Sequence, residues 1–306
     1  MWRSPLKADG QSAELAGSHP PRRSSLGKKV ALSLAALLVL AFAVLGTMLY
    51  CVQHTFIYRP QKPRPDWSSL QQQGLVRLDF RTSAGRQTAW YLGDGSTPKA
   101  VWIFFPGNST LSPDWRARLG AYGLGGDVGY LLVDYPAYGE NEGRPSPMAI
   151  LESNEAAVEA LAKHLGMPAE DLRPRLGAIG HSLGAATALQ FAARNPVRGI
   201  ILFAPFTSTD DMARRMFGGA FTWLLVHKFD NKARLASLGE RRNPPEVLLV
   251  HGTNDTIIPV EMGRELAARF PHFVSYLEHP GGDHGSIVDD SRDAVVEFIR
   301  QHSQEP

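Results

Sequence analysis

Cysteine is almost absent from this sequence, which has one cysteine among 306 residues. A single cysteine excludes an intrachain disulfide and a zinc or iron–sulfur site built from cysteines. Hydrophobic residues make up 43% of the chain and charged residues 20%, which is the composition of a globular protein. The fold must therefore be stabilised by burial of apolar side chains rather than by cross-links.

A strong excess of charge of either sign is also missing. The 32 basic and 30 acidic residues give a net charge of +2. Residues 1–29 contain six basic and two acidic side chains and carry +4, so residues 30–306 carry −2. This balance argues against a protein that binds nucleic acid. No repeat of about 20–50 residues is visible either, which excludes solenoids and propellers.

One long stretch without charged residues stands near the N-terminus. Residues 30–52 read VALSLAALLVLAFAVLGTMLYCV, 23 residues in a row. Because about 20 apolar residues are enough for a helix to cross a bilayer, we predict a single transmembrane helix over residues 30–52. A buried helix of the folded domain and a cleaved signal peptide are the alternatives. The signal peptide is disfavoured because the run is long for a signal core and ends in bulky residues.

Basic residues are slightly more frequent before this segment than after it. Those before it are Arg22, Arg23, Lys28 and Lys29, and those after it are Arg59, Lys62 and Arg64. The positive-inside bias predicts a cytoplasmic N-terminus and a C-terminal domain on the opposite, periplasmic side. Residues 1–29 are predicted to be a disordered basic tail, and the proline-rich residues 53–66 a linker.

From about Trp67 onwards, short apolar runs alternate with amphipathic stretches. This alternation is typical of βαβ units around a largely parallel sheet. The predicted strands are residues 75–80, 88–92, 100–105, 130–134, 176–180, 199–203, 247–251 and 274–278. The predicted helices are residues 115–122, 147–164, 183–194, 210–226, 260–270 and 290–302. We expect an α/β fold with about eight strands over residues 67–306, flanked by helices and carrying a small helical cap within residues 206–244.

A glycine-rich turn stands between the fifth predicted strand and the helix that follows it. Residues 180–184 read G-H-S-L-G, with Ser182 in the centre. The G-x-S-x-G pattern at a strand-to-helix turn is typical of a nucleophile elbow, in which glycines on both sides make room for a strained serine. A plain glycine-rich turn with an exposed serine is the alternative interpretation.

A serine nucleophile needs a base within hydrogen-bond reach and a group that orients this base. Asp255 follows the seventh predicted strand and His284 follows the eighth. The chain order Ser182, Asp255, His284 is the order of nucleophile, acid and base in hydrolases with such an elbow. We therefore predict these three as the catalytic residues.

Several other acidic and histidine side chains lie close to these positions in the sequence. The alternatives for the orienting acid are Asp283 and Asp230. For His181 and His251 we expect structural hydrogen bonds. A metal site that includes His279 has no further cluster of ligands to support it. We therefore predict no metal and no cofactor.

Negative charge that develops on a carbonyl oxygen needs backbone N–H donors. The N–H of Leu183, next to the predicted nucleophile, is one candidate. The second donor is expected on the loop after the third strand, where we predict the N–H of Asn108, with Ser109 as the alternative. The same loop, residues 105–108, also has the composition of a simple β-turn.

These motifs occur together in one known family. The order strand-PGN, DYPAYGENEGRPS, GHSLG, HGTNDTIIP and GGDHG resembles the α/β-hydrolase superfamily over about residues 55–304. It is most similar to membrane-anchored serine hydrolases with one N-terminal helix and a small cap. The resemblance implies an α/β-hydrolase fold and a serine hydrolase that works through an acyl-enzyme. The chain departs from the family pattern at Phe105-Pro106, where a histidine is common, and at the acidic residues 140–142.

The predicted cap is rich in apolar side chains. Phe206 and Phe217 in this insertion, together with Ser109 and Ile257, are predicted to contact the substrate. A crossover helix that packs its apolar side on the sheet is the alternative interpretation. We expect an ester or thioester with a lipid-like acyl group as substrate and the lipid bilayer as the partner of residues 30–52. A peptidase or amidase of the same fold, or a membrane-tethered binding protein without activity, are the alternative functions.

Overall fold

The computed structural model describes residues 25–62, 72, 74–123 and 127–304. The predictions for residues 1–24 and for the linker from residue 63 onwards lie outside the described residues. The chain divides into two compact units between Met48 and Leu49. The second unit therefore begins well before Trp67, where the folded domain was expected to begin.

The first unit contains most of a long helix, α1 (Ser25–Ile57). Its stretch Leu26–Met48 has 23 residues with a mean hydropathy of 2.5, and almost none of it is buried. A helix that is apolar and exposed on all sides has the length and composition of a membrane anchor or of a signal sequence. The stretch begins at Leu26 rather than at residue 30, because the helix already includes Lys28 and Lys29.

The second unit is built around an eight-stranded sheet. The strands are β1 (Leu75–Thr82), β2 (Gly85–Leu92), β3 (Ala100–Phe105), β4 (Val128–Val133), β5 (Leu176–His181), β6 (Gly199–Phe203), β7 (Glu246–Gly252) and β8 (Val274–His279). Their order across the sheet is β1-β2-β4-β3-β5-β6-β7-β8. β2 pairs antiparallel with β1 and with β4, and all other pairs are parallel. The predicted eight strands and mostly parallel sheet are confirmed.

Helices cover both faces of this sheet. They are α2 (Arg116–Ala121), α3 (Pro147–His164), α4 (Ala169–Leu172), α5 (Leu183–Arg194), α6 (Thr209–Phe217), α7 (Asn231–Gly239), α8 (Val260–Arg269), α9 (Ile287–Asp290) and α10 (Arg292–His302), with 3-10 helices at Ser112–Trp115, Arg173–Arg175 and Gly219–Leu224. Side chains of α3, α5, α7 and α8 pack with Val101, Ile103 and Phe105 of β3. Side chains of α2, α9 and α10 pack with Trp102 and Phe104 of the same strand. Because successive strand side chains point to opposite faces, β3 is apolar throughout and buried on both sides.

The predicted helix over residues 210–226 is wrong in its second half. α6 ends at Phe217, because Gly218 has a φ of 77°, in the left-handed region that ends a helix. The 3-10 helix follows, and a separate helix, α7, begins after Asp230. The carboxylate of Asp230 accepts a hydrogen bond of 2.9 Å from the N–H of Ala233. This N-terminal cap was not recognised in the sequence.

The acidic loop of residues 140–142 is attached to the first two strands. Glu140 forms an ion pair of 2.5 Å with Arg77 on β1. Glu142 forms one of 2.7 Å with Arg86 on β2. The departure from the family pattern at this loop is therefore explained by its contacts with the antiparallel edge of the sheet.

The first part of the predicted linker is not a free spacer. Residues 53–57 complete α1 and belong to the second unit. Tyr58 is buried, and the N–H of Arg59 donates to the carbonyl oxygen of Asn108 at 3.1 Å. These contacts join the end of α1 to the loop that follows β3.

Candidate active site

Three parallel strands end next to the residues predicted as catalytic. Ser182 follows β5, Asp255 follows β7 and His284 follows β8. Because the carboxyl ends of parallel strands lie at the same edge of a sheet, this edge is where open α/β sheets bind ligands. The structure places His284 against Asp255, and it places Ser182 and His284 on the wall of one cavity.

Ser182 occupies a strained backbone position between β5 and α5. Its φ of 58° and ψ of −117° lie in a region that non-glycine residues rarely adopt. The N–H of Ser182 donates to the carbonyl oxygen of Phe203 on β6 at 2.9 Å, which holds the turn against the sheet. A Cβ atom on Gly180 would overlap the backbone of Gly184, and one on Gly184 would overlap the carbonyl group of Phe105. Both glycines are therefore required for this sharp turn.

Asp255 and His284 form a short hydrogen bond, with 2.7 Å between Oδ2 of Asp255 and Nδ1 of His284. The other carboxylate oxygen accepts from the N–H groups of Ile257 and Ile258, at 2.8 Å each. Burial of the Asp255 side chain by itself raises its pKa. Hydrogen bonds from His251, His284 and the Ile258 N–H outweigh this effect and hold the pKa well below its usual range. Asp255 is therefore ionised, and Nδ1 of His284 carries the proton that it donates.

His251, at the end of β7, also contacts Asp255. Its Nε2 atom is 2.9 Å from the carbonyl oxygen of Ile258 and 3.4 Å from Oδ2 of Asp255. Because a carbonyl oxygen only accepts hydrogen bonds, the ring proton stands on Nε2. The structural hydrogen bond expected for His251 is present. Its position against the carboxylate that contacts His284 was not predicted.

His181, inside the G-x-S-x-G turn, supports the loop that carries His284. Nε2 of His181 donates to the carbonyl oxygen of His284 at 2.7 Å. The His181 ring packs between the ring of Trp115, at 5.1 Å between centroids, and the ring of His284, at 4.7 Å. Burial lowers the pKa of His181 to about 4. The ring is therefore neutral at neutral pH, with its proton on Nε2.

The alternative orienting acids have other hydrogen-bond partners, and the described residues lack a ligand set for the alternative metal site. Asp283 accepts a hydrogen bond of 2.8 Å from the N–H of Gly285, and Asp230 caps α7. Within the described residues, neither carboxylate is hydrogen bonded to His284. In the same part of the chain no three His, Cys, Asp or Glu side chains, His279 included, are grouped so that they could hold a metal ion.

A cavity of about 560 Å³ opens beside Ser182 and His284. This volume lies within the range of about 300–1,000 Å³ that is typical of small-molecule sites. Its lining is mostly apolar and includes Leu183, Phe206, Met212, Met216, Phe217, Leu224, Leu225, Ile257 and Ile258. The residues predicted to bind substrate, which are Ser109, Phe206, Phe217 and Ile257, all line it. Their contact with a substrate stays a prediction.

The two predicted oxyanion donors also line this cavity. Leu183 is the first residue of α5, and N–H groups in the first turn of a helix have no partner within the helix. The carbonyl oxygen of Asn108 accepts a hydrogen bond of 2.7 Å from the Tyr138 hydroxyl, which fixes the loop after β3. A Cβ atom on Gly107 would come within 3.2 Å of the His181 ring, so this loop lies tightly against the elbow.

One wall of the cavity was not predicted from the sequence. Gln53, Phe56 and Ile57 at the end of α1 line it, together with Arg59. These residues were assigned to the linker because they follow the apolar run directly. The sequence contains one indication of this wall, a polar glutamine directly after the apolar run. In the structure this residue, Gln53, is buried.

Comparison with known proteins agrees with this geometry. Residues 102–240 match the Alpha/beta hydrolase family, and residues 216–305 match a family described as TAP-like protein. A Mycobacterium tuberculosis protein, the uncharacterised MT2364, is 30% identical over 271 residues, which are 85% of this chain and 90% of that protein. The chain belongs to the α/β-hydrolase family. This α/β-hydrolase is accordingly a hydrolytic enzyme by family.

Other relatives of this α/β-hydrolase have named activities. The lysophosphatidylserine lipase ABHD12 of Danio rerio is 27% identical over 206 residues, which are 61% of this chain and 51% of that protein. The esterase Pf2001 of Pyrococcus furiosus has a TM-score of 0.61 at 16% identity and covers 81% of this chain and 98% of its own. An esterase domain from Rhodothermus marinus has a TM-score of 0.55, also at 16% identity, over 75% of this chain and 99% of its own. At this level of identity the two structures show the shared fold.

Gly184→Ala should prevent the elbow from forming, because its Cβ atom would overlap the backbone carbonyl group of Phe105. Overpacking of a buried site costs about 1–3 kcal/mol, and a backbone atom cannot move aside as a side chain can. We expect the free energy of unfolding, measured by urea denaturation in detergent, to fall by at least about 3 kcal/mol. Gly219→Ala, with open space and an ordinary φ, is the control and should change it by less than about 1 kcal/mol. A Gly184→Ala protein as stable as the wild type would refute the close packing of the elbow.

The low pKa of His181 should make stability depend on pH. An unfolded histidine has a pKa of about 6.5, so between about 6.5 and 4 the unfolded chain binds a proton that folded His181 does not. The contribution of this group is complete above the unfolded pKa and is lost as the pH falls towards 4, by about 3 kcal/mol in total. Urea denaturation of His181→Gln should show a smaller loss between about pH 7.5 and about pH 4.5 than the wild type. Exposed His272→Gln should follow the wild type, and equal losses in all three proteins would contradict this prediction.

Proposed function

We propose that this α/β-hydrolase is a serine hydrolase that cleaves an ester or thioester with an apolar acyl group. Ser182 is the nucleophile, His284 is the general base and acid, and Asp255 orients His284. The observation that carries the proposal is the 2.7 Å hydrogen bond between Asp255 and His284, beside the cavity that Ser182 also lines.

The proton positions suit the first chemical step. Nδ1 of His284 donates to ionised Asp255, so the unprotonated Nε2 is available as a base. As Oγ of Ser182 attacks the acyl carbonyl carbon, its proton passes to Nε2 and a tetrahedral intermediate forms. The imidazolium that results is stabilised by the carboxylate of Asp255, which stays ionised.

The negative charge on the carbonyl oxygen is bound by backbone N–H groups. Leu183 and Asn108 supply them, and each such donor is worth about 3 kcal/mol of transition-state stabilisation. The N-terminus of α5 adds a favourable dipole. When the intermediate collapses, His284 gives its proton to the departing alcohol or thiol, and the acyl group remains on Ser182. A water molecule activated by His284 then releases the acid and restores the serine.

The substrate class is proposed from the lining of the cavity. Apolar side chains of the cap and of the loops after β6 and β7 dominate it. Each methylene group that moves from water into such a site gains about 0.8 kcal/mol, so a long acyl chain is favoured over an acetyl group. The lysophosphatidylserine lipase of Danio rerio, a relative of this chain, supports a lipid-like acyl ester.

We also propose that α1 is a retained membrane anchor rather than a cleaved signal sequence. The helix continues past its apolar stretch to Ile57, and its last residues line the cavity. Cleavage that removed these residues would open one wall of the active site. The cytoplasmic N-terminus and the periplasmic position of the catalytic unit remain predictions from the distribution of basic residues.

Ser182→Ala should abolish covalent labelling by a fluorophosphonate probe, because the probe reacts with an activated serine oxygen. Labelling is measured by in-gel fluorescence of the full chain in detergent. Ser109→Ala is the matched control, because Ser109 lines the same cavity, and it should keep the label. Label that persists in Ser182→Ala would refute Ser182 as the nucleophile.

Asp255→Asn should lower kcat for a short-chain ester by about 10³–10⁴, because an amide in place of the carboxylate favours the wrong tautomer of His284. Asp283→Asn is the matched control, since Asp283 is the neighbour of His284 in the sequence and its carboxylate accepts hydrogen bonds from the N–H groups of Gly285 and Ser286. It should keep kcat within about threefold of the wild type. The reverse pattern would make Asp283 the orienting acid.

A further inference from the structure

Exposed apolar side chains surround the mouth of the cavity. We call six of them the rim, and they are Phe56, Met216, Phe217, Trp223, Val226 and Ile257. Four of these line the cavity itself, and Trp223 and Val226 flank the lining residues Leu224 and Leu225 in the sequence. Their exposure ranges from 45% for Phe56 to 67% for Trp223, whereas most large apolar side chains described in the second unit are buried or half-buried.

Exposure of large apolar side chains is concentrated at the rim. In the described part of the chain after Met48, the exposed large apolar side chains are the rim, Tyr50 and Met148. Tyr50 lies in α1, one turn before Gln53, so Met148 is the one that lies elsewhere. Exposed apolar residues that cluster at one place mark an interaction surface rather than ordinary surface variation.

The end of α1 and the following Tyr58 are attached to the cap by four contacts, all within the second unit. The Gln53 side chain accepts a hydrogen bond of 2.7 Å from the N–H of Val226 and donates one of 3.3 Å to the carbonyl oxygen of Leu224. The rings of Phe56 and Phe217 meet edge to face, with 5.2 Å between centroids. Tyr58 and His227 add a contact of 3.2 Å between the hydroxyl and Nδ1. These contacts therefore join Phe56 at the end of α1 to the rim residues of the cap.

We propose that the rim contacts the lipid bilayer and that the substrate's acyl chain enters the cavity from the membrane. This proposal deepens the proposed function and rests on it for the identity of the substrate. Continuity of the chain between the apolar stretch of α1 and the rim favours lipid as the occupant. Phe56 follows Met48, the last residue of the apolar stretch, by eight positions, and eight residues span at most about 29 Å even when fully extended. A membrane-embedded apolar stretch therefore keeps Phe56, one residue of the rim, within about 29 Å of the end of that stretch.

The chemistry of the rim also suits a lipid surface. Tryptophan is enriched at membrane interfaces, where its ring lies among the headgroups, and Trp223 is the most exposed residue of the rim. Arg214 and Arg215, both exposed, directly precede Met216. Guanidinium groups at this position complement the phosphate groups of lipid headgroups.

Entry from the membrane removes an energetic barrier for a lipid ester. Passage of an acyl chain through water costs about 0.8 kcal/mol of free energy for each methylene group that becomes exposed. A chain that moves directly from the bilayer into the apolar cavity exposes few methylene groups to water. The substrate class that this favours is an acyl ester resident in the membrane, with its ester group near the headgroups. A water-borne substrate gains nothing from the rim.

Fluorescence quenching of Trp223 tests the contact without any turnover. The full chain is reconstituted in phosphatidylcholine vesicles with or without bromine atoms on the lipid acyl chains, and wild type is compared with Trp223→Phe. The difference between the two proteins is the emission of Trp223. We expect brominated lipid to lower this difference by about half or more, since bromine quenches only at short range. Trp223 emission that is unchanged by brominated lipid would overturn the proposal. The finding that a second copy of this chain covers the rim would overturn it as well.

Substitution of a rim residue outside the cavity lining tests the route of the substrate. Val226→Asp should lower kcat/KM for a long-chain ester dissolved in the bilayer by about tenfold, because a charge opposes contact with lipid. Turnover of a water-soluble acetyl ester should stay within about twofold of the wild type. Met148→Asp is the matched control, because Met148 is an apolar residue exposed to 63%, against 56% for Val226, and does not line the cavity; it should change neither rate. Equal effects of Val226→Asp on both esters, or none on either, would overturn the route.

Membrane contact of the rim and serine-hydrolase activity are tested independently of each other. If the vesicle-bound protein shows quenching of Trp223 but Ser182 is not labelled and no ester is cleaved, the rim is a membrane surface and the proposed function is wrong. If Ser182 is labelled and the acetyl ester is cleaved while Trp223 is not quenched, the enzyme is a serine hydrolase whose substrate arrives from water.

Discussion

The site depends on one constraint, which is that the carboxyl ends of the parallel strands lie together at one edge of the sheet. β5, β7 and β8 each end there, and each is followed by one residue of the Ser182, Asp255, His284 set. β5 can turn directly into α5 because Gly180 has no Cβ atom to overlap the backbone of Gly184, and Gly184 has none to overlap the carbonyl group of Phe105 on β3. Without that close approach, the serine would stand away from the cavity.

Histidines other than His284 support this edge. His251 donates to the carbonyl oxygen of Ile258 and lies beside the Asp255 carboxylate, while His181 donates to the carbonyl oxygen of His284. Burial keeps His181 neutral, so its single ring proton has a defined place. The loop that carries His284 is therefore held through its backbone by one ring and through its side chain by the carboxylate. Such preorganisation is what proton transfer between fixed groups requires.

The end of α1 gives this hydrolase a cavity wall that its central sheet does not provide. Gln53 satisfies the backbone of the cap at Leu224 and Val226, two positions just after the turn at Gly218 ends α6. A helix continuing through residues 218–226, as expected from the sequence, would use the N–H of Val226 internally and leave Gln53 without this donor. The break in the cap and the attachment of α1 are thus two aspects of one arrangement. It joins the end of the long N-terminal helix to the wall of the cavity beside Ser182.

Local patterns in the sequence determined the strands, the elbow and the apolar helix. Alternating short apolar runs predict β3, β5 and β7 because a buried parallel strand is apolar on both faces, and the glycines around Ser182 predict a sharp turn through the space that they leave. Preference for Asp255 over Asp283 also follows from the chain, since neighbouring residues on an extended loop point in opposite directions. The capping of α7 by Asp230 lay in the sequence as well but was not recognised there.

Only the tertiary structure decided which distant residues meet. Gln53 and Leu224 are 171 positions apart, and nothing in either local sequence requires their contact. The same holds for His181 and the carbonyl oxygen of His284, at a separation of 103 positions. The spacing of apolar residues and the residue types at turns indicate the backbone conformation of only a few successive residues. Cavity walls and proton positions depend instead on side chains brought together by packing of the whole unit, because burial and unpaired backbone groups arise only once the chain has folded.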